Sequence, residues 1–502
     1  MSTRPWRFHR VAAVFATLVG LVASACTTVA EGEMPRPAQA SPVPAAAPSQ
    51  EPTPDQVTLG TDRPRQSQGV VAAGGADSVY NYGPTLMVED GKYRMWWCSQ
   101  LGAAVPPGDD ILLAEAPAPG GPYTGPDGSP ALAVFSGGGG FDAMHTCDPS
   151  VIRVGGTYYL YYTGAAGDHA HGNAIGLATS RDGRTWTRAN GGKPVVTAAH
   201  DVSRDNVYGA GQPAAVYLDG WFHLMFTDTT GRDAGWNGAG QFVLRAKDPT
   251  FASGVEILSP GGFRKASSTA GRLRSVVDAF SVDFMWVAAL DAFAIAHETQ
   301  DGTTITFWDR DFRRAPYKPV LIPGPWEEGP GLVRGPEGHA PLSVDAPCDR
   351  VPIDLVRATR IGAAPTDLMM FGADVTGSGA CAEPARALKA LEGFAMPSPQ
   401  RTIDLVRDGA LVRVERRSVA EKLAVRVLDH RVPALDSVPV AARLTASAAV
   451  VRADSRLGFV LDDGRLWPIT DPAVATLNSS PMTPVSPSVF DSYRRGPDLA
   501  AR

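Results

Sequence analysis

The sequence predicts an all-β protein, a five-bladed β-propeller with a small C-terminal β-rich appendage. Three observations predict it. First, one hairpin pattern recurs: a residue, a proline, an apolar strand, a two-residue glycine turn and an aromatic strand. It reads GPTLMVEDGKYRMWWC from Gly83, DPSVIRVGGTYYLYYTG from Asp148 and QPAAVYLDGWFHLMFTD from Gln212, with Asp-Gly or Gly-Gly at the turn as tight hairpins require. Second, Pro84, Pro149 and Pro213 return about every 65 residues, a period that signals repeat architecture. Third, each hairpin is followed by a further strand: ILLAEA, IGLATSRDG, FVLRAKDP, ITFWDRDF and IDLVRATR, starting at Ile111, Ile175, Phe242, Ile305 and Ile353. Three or four antiparallel strands per unit is the size of a propeller blade. A β-sandwich requires no period this long or regular.

In chain order, residues 1–26 read as an export signal, with Arg4, Arg7 and Arg10 before the apolar run VAAVFATLVGLVASA and then Cys26. LVASAC is similar to a bacterial lipobox, with Ala23 where leucine is usual, so Cys26 is the expected lipidation site and the mature protein is expected outside the cytoplasm. Residues 27–68 are rich in Pro, Ala, Ser, Glu and Gln, too polar to bury a core, and read as an extended tether. Residues 69–400 hold the five repeats; continuing the period from Pro213 places the fourth at Asp278 and the fifth close to Ala340 and Pro341. Residues 401–502 read as strands that close the ring and then a small module containing RLGFVLDDGRLWPITDPAVATLNSS, which is similar to short repeats of actinobacterial envelope proteins.

The 502 residues are 44% hydrophobic and 20% charged, an ordinary globular balance, and the formal net charge of −6 argues against a nucleic-acid partner. Apart from Cys26 there are four cysteines, an even number for an oxidising compartment. Of the three pairings possible, Cys98 with Cys147 and Cys348 with Cys381 is preferred, because each pair joins neighbouring repeat units. There is no Cys-x-x-Cys spacing for zinc. Serine-hydrolase elbows, phosphate loops and zincin motifs are absent too.

The residues that start each hairpin are candidates for chemistry. Asp148 precedes Pro149 at the head of a strongly apolar strand, where an unpaired carboxylate is costly and is kept for a reason. A residue before proline is expected to be extended, which fixes the direction of its side chain. Gly83, Gln212, Asp278 and approximately Ala340 are the position-matched residues. Six or seven residues upstream of the strand heads, Asp77, Asp142 and Asp205 form a second tier, with His145 and Asn206 beside them; each is also a good loop cap. Tyr80, Tyr82, Tyr208 and Trp236 lie near loops and can stack on sugars, whereas Tyr158, Tyr159, Tyr161 and Tyr162 alternate as strand packing. His145, His169, His171 and His339 lack metal spacing.

Taken together, DPSVIRVGGTYYLYYTG, GLATSRDGRTWTR and QPAAVYLDGWFHLMFTD resemble the five-bladed propeller glycoside hydrolases, the group of arabinanases, β-xylosidases and levanase/invertase-type enzymes, over roughly Asp77 to Thr366. The resemblance implies a central funnel lined by acids, with Asp148 as base or nucleophile, Asp278 or Asp142 as its partner, and Glu328 in WEEGPGLV as the acid; Glu298 and Glu337 are alternatives. Glycoside hydrolysis uses two carboxyl groups of different pKa astride the bond. Asp77, Asp142, His145, Asp205, Asn206, Tyr208 and Gln212 are the implied sugar-binding set. Gln212 replaces a carboxylate that arabinanase-like relatives often carry.

The implied substrate is a furanoside or pentose-containing polymer or oligosaccharide of arabinan, xylan or fructan type. No cofactor is required, and related propellers sometimes hold an axial calcium. Membrane contact is expected through the N-terminal lipid only. The competing reading is a non-catalytic glycan-binding or scaffold propeller of the cell envelope.

Overall fold

The computed structural model describes residues 56–499 apart from 73–79, 101–108, 169–170, 236 and 362–364. The chain divides into Met1–Gln39, which lies outside the described residues, and Ala40–Arg502. Within the second unit, five antiparallel meanders follow one another. Their strands are Asn81–Glu89, Lys92–Ser99, Asp110–Ala116 and Leu132–Phe135; His145–Val154, Thr157–Ala165, Ala174–Ser180 and Thr187–Arg188; Ala210–Leu218, Trp221–Asp228, Gln241–Ala246, Glu256–Ser259 and Gly262–Lys265; Val282–Val287, Ala292–Thr299, Gly302–Trp308 and Val320–Pro323; and Glu328–Arg334, Arg350–Ile361 and Pro365–Thr376.

The first three meanders begin as the sequence predicts. Their inner hairpins turn at Asp90-Gly91, Gly155-Gly156 and Asp219-Gly220, all with positive φ, between 50° and 81°, the backbone that matches the strand twist. The fourth turns instead through the short 3₁₀ segment Ala288–Leu290 and a left-handed Asp291. Its first strand starts at Val282, where the other units have proline. The residue matched to Asp148 is therefore Ser281 rather than Asp278. The fifth first strand, Glu328–Arg334, carries Gly329-Pro330, so its matched residue is Gly329 rather than Ala340. A fixed period misplaces both because the connections between sheets differ in length.

The first strands of the first, second and fourth sheets are tied to the next sheet by the residue that follows the proline position. Thr85 Oγ1 accepts from Val151 N at 3.4 Å, Ser150 Oγ from Ala215 N at 2.9 Å, and Asp283 Oδ2 from Leu332 N at 2.8 Å. The third and fourth strands are joined by Arg334, whose Nη1 donates to the carbonyls of Ala215 and Phe284 at 3.0 and 2.9 Å. The fifth pairs in parallel with the first, Val333 opposite Leu86 and Arg334 opposite Met87. That approach depends on Gly331, where a Cβ would stand 2.0 Å from the Pro84 carbonyl oxygen. The five first strands thus contact one another in cyclic order, and apolar cores fill the spaces between successive sheets, as with Met87, Trp96, Val151 and Leu160.

The outer strand of the fifth sheet is Gly60–Gln66, antiparallel to Pro365–Thr376. The sequence reading assigns this stretch to the tether and gives ring closure to residues beyond 401. The difference has a physical cause. GTDRPRQ is a polar edge strand with a proline, held by charge rather than apolar burial: Arg65 donates to Asp354 and Asp374 at 2.6 Å each, and Arg350 pairs with Asp62. Residues beyond 401 build sheets of their own. One has the order Arg426–Val427, Phe394–Pro397, Ile403–Arg407, Ala410–Val414, Val440–Leu444; the other has Leu466–Ile469, Arg456–Val460, Val450–Ala453, Met482–Pro484. Both expected disulfides are present, Cys98–Cys147 and Cys348–Cys381.

Candidate active site

At Gly83, Asp148, Gln212 and Gly329, each before a proline, φ is 56°, 48°, 53° and 42°. The expected extended conformation is not what forms. At all four the strand register slips, between Tyr82 and Thr85, Cys147 and Ser150, Gly211 and Ala214, and Glu328 and Gly331. A β-bulge with a left-handed first residue re-aims its side chain, and these four bulges turn the matched residues toward one well. The well is lined by Gly83, Asp148, Gln212, Ser281, Asp283 and Pro330, among others, and its volume is about 20 Å³. That is room for about one water, so a sugar ring would sit over its mouth.

Asp148 is buried, with one oxygen committed and one not. Oδ2 accepts from the Tyr208 hydroxyl at 3.3 Å, while Oδ1 is buried with no hydrogen-bond partner among the described residues. Desolvation raises its pKa, opposed by the nearby His145 and by hydrogen bonds from Thr163 and Tyr208, and reinforced by Asp109. Tyr208 is held edge-on against Phe280, ring centroids 4.9 Å apart, and fits because Gly211 lacks a Cβ, which would lie 2.5 Å from the Tyr208 oxygen. Burial first, then the negative charge of Asp148, pushes the Tyr208 and Tyr82 phenols well up.

Glu328 comes from the strand head of the fifth sheet and joins the same group. Its pKa is pushed up to about 8, first by desolvation and then by the charge of Asp148, against a hydrogen bond from the Gln212 side chain. The Gln212 side chain is near enough to both Glu328 and Tyr208 to lower the pKa of each. Its backbone N–H donates to Thr163 Oγ1 at 2.9 Å. The structure therefore brings Asp148, Glu328, Gln212 and Tyr208 together, with Tyr82 beside them and His145 next to Asp148. His145 Nδ1 is bound to Asp109.

Other sequence candidates lie elsewhere. Asp278 is exposed on the loop before the fourth sheet, bridged to Gly240, and does not line the well. Asp142 is buried but committed: Oδ2 accepts from Arg188 Nε at 2.7 Å and from the Tyr162 hydroxyl at 2.9 Å. Asp205 is exposed, and Asn206 caps its loop by accepting from Tyr208 N at 3.2 Å. Glu298 bonds Thr303 and faces Arg357, its pKa raised to about 7 by burial. Glu337 lies beyond the far end of the fifth inner strand, where its carbonyl receives Tyr217 N. Asp77, Trp236, His169 and Cys26 fall outside the described residues.

Sequence reasoning missed Ser281, Asp283, Thr163 and Arg334. Asp283 is buried, its pKa raised to about 6 by desolvation against the charge of Arg334, whose Nη1 is 3.0 Å from Oδ1. Matching the apolar strand pattern of SVDFMWV to DPSVIRV, rather than counting a period, would have found Ser281 and Asp283.

A calcium ion does not fit the axis. Calcium takes roughly six to eight oxygen ligands, whereas the compact donor groups here are His145, Cys147 and Asp148, or Cys98, Asp109 and Cys147. Their sulfurs are joined in a disulfide, and Asp283 is taken by Arg334.

No protein-family model and no curated protein matches the sequence. Solved structures do. A family 117 glycoside hydrolase from the marine bacterium Zobellia galactanivorans is 11% identical over 64% of this chain and 92% of its own, with a TM-score of 0.41. The catalytic domain of the Coprinopsis cinerea family 62 α-L-arabinofuranosidase is 11% identical over 62% of this chain and 97% of its own, TM-score 0.40. A member of family 130, whose glycoside hydrolases target β-1,2 mannosidic linkages in Candida mannan, is 14% identical over 64% of this chain and 95% of its own, TM-score 0.38. The similar solved structures are thus glycoside hydrolases at low sequence identity.

Proposed function

We propose that the five meanders are the blades of a five-bladed propeller and that the protein is a glycoside hydrolase whose active site is the mouth of the axial well. Glu328 is the general acid and Asp148 the base or nucleophile. The observation that carries this reading is the unequal carboxyl pair. Two acids from strands far apart in sequence interact, and the charge on Asp148 is one cause of the proton's retention on Glu328 to about pH 8. Environments that push two carboxyl pKa values apart assign acid and base roles. Gln212 orients the acid, Tyr208 orients the base, and the buried Oδ1 of Asp148 is the carboxylate oxygen not committed to another side chain among the described residues.

The substrate class is a furanoside or pentose-containing glycan of arabinan, xylan or fructan type, met outside the cytoplasm by a chain exported through residues 1–26, lipidated at Cys26 and tethered by the segment that ends before Gly60. Among the described residues no helix is long and apolar enough to cross a membrane. The test is release of reducing ends from purified arabinan, xylan and fructan. Asp148→Asn and Glu328→Gln should each lower the rate by roughly 10³-fold, within the range of general acid–base catalysis.

One observation favours a second reading, a glycan-binding propeller without cleavage: of the matched positions Gly83, Asp148, Gln212, Ser281 and Gly329, only Asp148 is acidic. Saturable binding of these polymers without release of reducing ends would select it.

A further inference from the structure

The C-terminal region contains one supersecondary unit twice. In the first copy, Phe394–Pro397, Ile403–Arg407 and Ala410–Val414 form an antiparallel meander, helix Arg417–Leu423 follows, and Arg426–Val427 returns parallel to the first strand. In the second, Val450–Ala453, Arg456–Val460 and Leu466–Ile469 form the meander, helix Ala473–Leu477 follows, and Met482–Pro484 returns parallel to the first strand. The second and third strands of each copy are joined through Asp408-Gly409 or Asp463-Gly464, with glycine φ of 69° and 71°. The copies share one core, in which Val419 and Leu423 of one helix cluster with Val474 and Ala475 of the other.

This arrangement brings the two Asp-Gly turns to a single cavity of about 260 Å³, lined by Asp408 and Ala410 from the first copy, Asp463, Arg465 and Trp467 from the second, and Arg494 from the C-terminal tail. Some of its polar groups are already engaged. The Trp467 indole N–H donates to Asp463 at 3.1 Å, and Arg407 at the wall donates to the Leu499 carbonyl at 2.8 Å and pairs with Glu392. Others are engaged loosely or not at all. Arg465 forms an ion pair with Asp463, Nε to Oδ2 3.8 Å, without a hydrogen bond between them. Arg494 is exposed, with no ion pair or side-chain hydrogen bond among the described residues, and the exposed Asp408 carboxylate likewise has none.

We propose that this cavity binds a carboxylate-bearing saccharide. Two guanidinium groups with spare donors suit one carboxylate, which arginine grips through paired N–H groups. The carboxylate of Asp408 can accept from sugar hydroxyls. A site formed between two copies also explains why the duplicated unit is packed turn to turn. The inference concerns the C-terminal repeat alone and stands independently of the axial well.

The test is calorimetric titration of the full chain with trigalacturonic acid, beside a neutral trisaccharide of the same length. Saturable binding of the acid only, weakening as salt is raised, is expected. Arg465→Ala and Arg494→Ala should each weaken it about tenfold or more, the amount one charge-assisted hydrogen bond carries, whereas Asp148→Asn/Glu328→Gln should bind as the wild type does. Both arginines reach solvent, so melting temperatures should be unchanged. If an alanine variant melts early, Arg494→Lys, which keeps the charge and removes the fork, should show the loss. Absence of saturable binding, equal binding of the neutral sugar, full binding by the arginine variants, or loss confined to the Asp148/Glu328 variant would each overturn the assignment.

Discussion

The Tyr208 hydroxyl donates to Asp148 Oδ2 across 3.3 Å, from the loop before the third sheet to the strand head of the second. Because it bonds the ionised form, it lowers the Asp148 pKa against the desolvation that raises it. In Tyr208→Phe that pKa should rise further. Carbon-detected NMR titration of the Asp148 carboxyl reads this directly, and in an active enzyme the acidic limb of the pH–rate profile should move to higher pH. An unmoved titration would mean that the hydroxyl does not tune the carboxylate.

Glu328 makes a different pH prediction. Its pKa is about 8 in the folded chain against 4.5 ordinarily. Between these values the folded state holds a proton that the unfolded state has released, so this group's contribution to stability falls as pH rises through that window and is constant below about pH 4.5. The limit is about 1.4 kcal/mol per pH unit, less for a carboxyl that is partly exposed. Asp283 and Glu298 act in the same direction, so the informative quantity is a difference. Chemical denaturation of Glu328→Gln and wild type from pH 5 to 8 should show a shallower decline in the variant.

What the sequence discloses and what it hides divide along physical lines. The Asp90-Gly91, Gly155-Gly156 and Asp219-Gly220 hairpins are legible because a positive φ restricts residue choice. Asp148 is legible because a carboxylate stands out in an apolar strand, and the Cys98–Cys147 disulfide because it joins neighbouring repeats, whereas Cys348–Cys381 brackets the last two strands of the fifth sheet. The fourth and fifth units are hidden: Val282 replaces the marker proline, and the intervening loops change length. The well is hidden more deeply, since it depends on a bulge at each strand head that turns Asp148 and Gln212 into a left-handed backbone. The strand Gly60–Gln66 is the least legible, because an outer edge strand held by arginine–aspartate pairs carries no apolar alternation.

Arg334 and Asp283 form a buried pair between the first strands, Nη1 to Oδ1 3.0 Å, and the same guanidinium also reaches Thr85, Ala215 and Phe284. Arg334→Met would leave Asp283 buried without its cation and remove the link between the third and fourth sheets. Breaking one side of a buried pair costs about 3–5 kcal/mol, so the expected result is a marked fall in the urea midpoint. The penalty should shrink as pH falls toward about 6, because Asp283 without the arginine takes up its proton at a higher pH than the value of about 6 it has beside Arg334.

Gly60–Gln66 predicts where the chain tolerates truncation. Removing residues before Val57 leaves every described pairing of the fifth sheet intact, whereas removing residues through Gln66 deletes its outer strand. It also takes Arg65 from Asp374, which keeps Arg350, and leaves Asp354 without the arginine it accepts from. Inner strand ladders and apolar cores remain, so folding need not be abolished, but the exposed edge of Pro365–Thr376 becomes a template for association. A chain starting at Val57 should melt with the full-length chain. One starting at Gly69 should melt several degrees lower, since about 1 kcal/mol corresponds to roughly 2–4 °C in a domain of a few hundred residues, and should show larger species by light scattering. Equal melting of the two truncations would show that the strand contributes nothing to the fifth sheet.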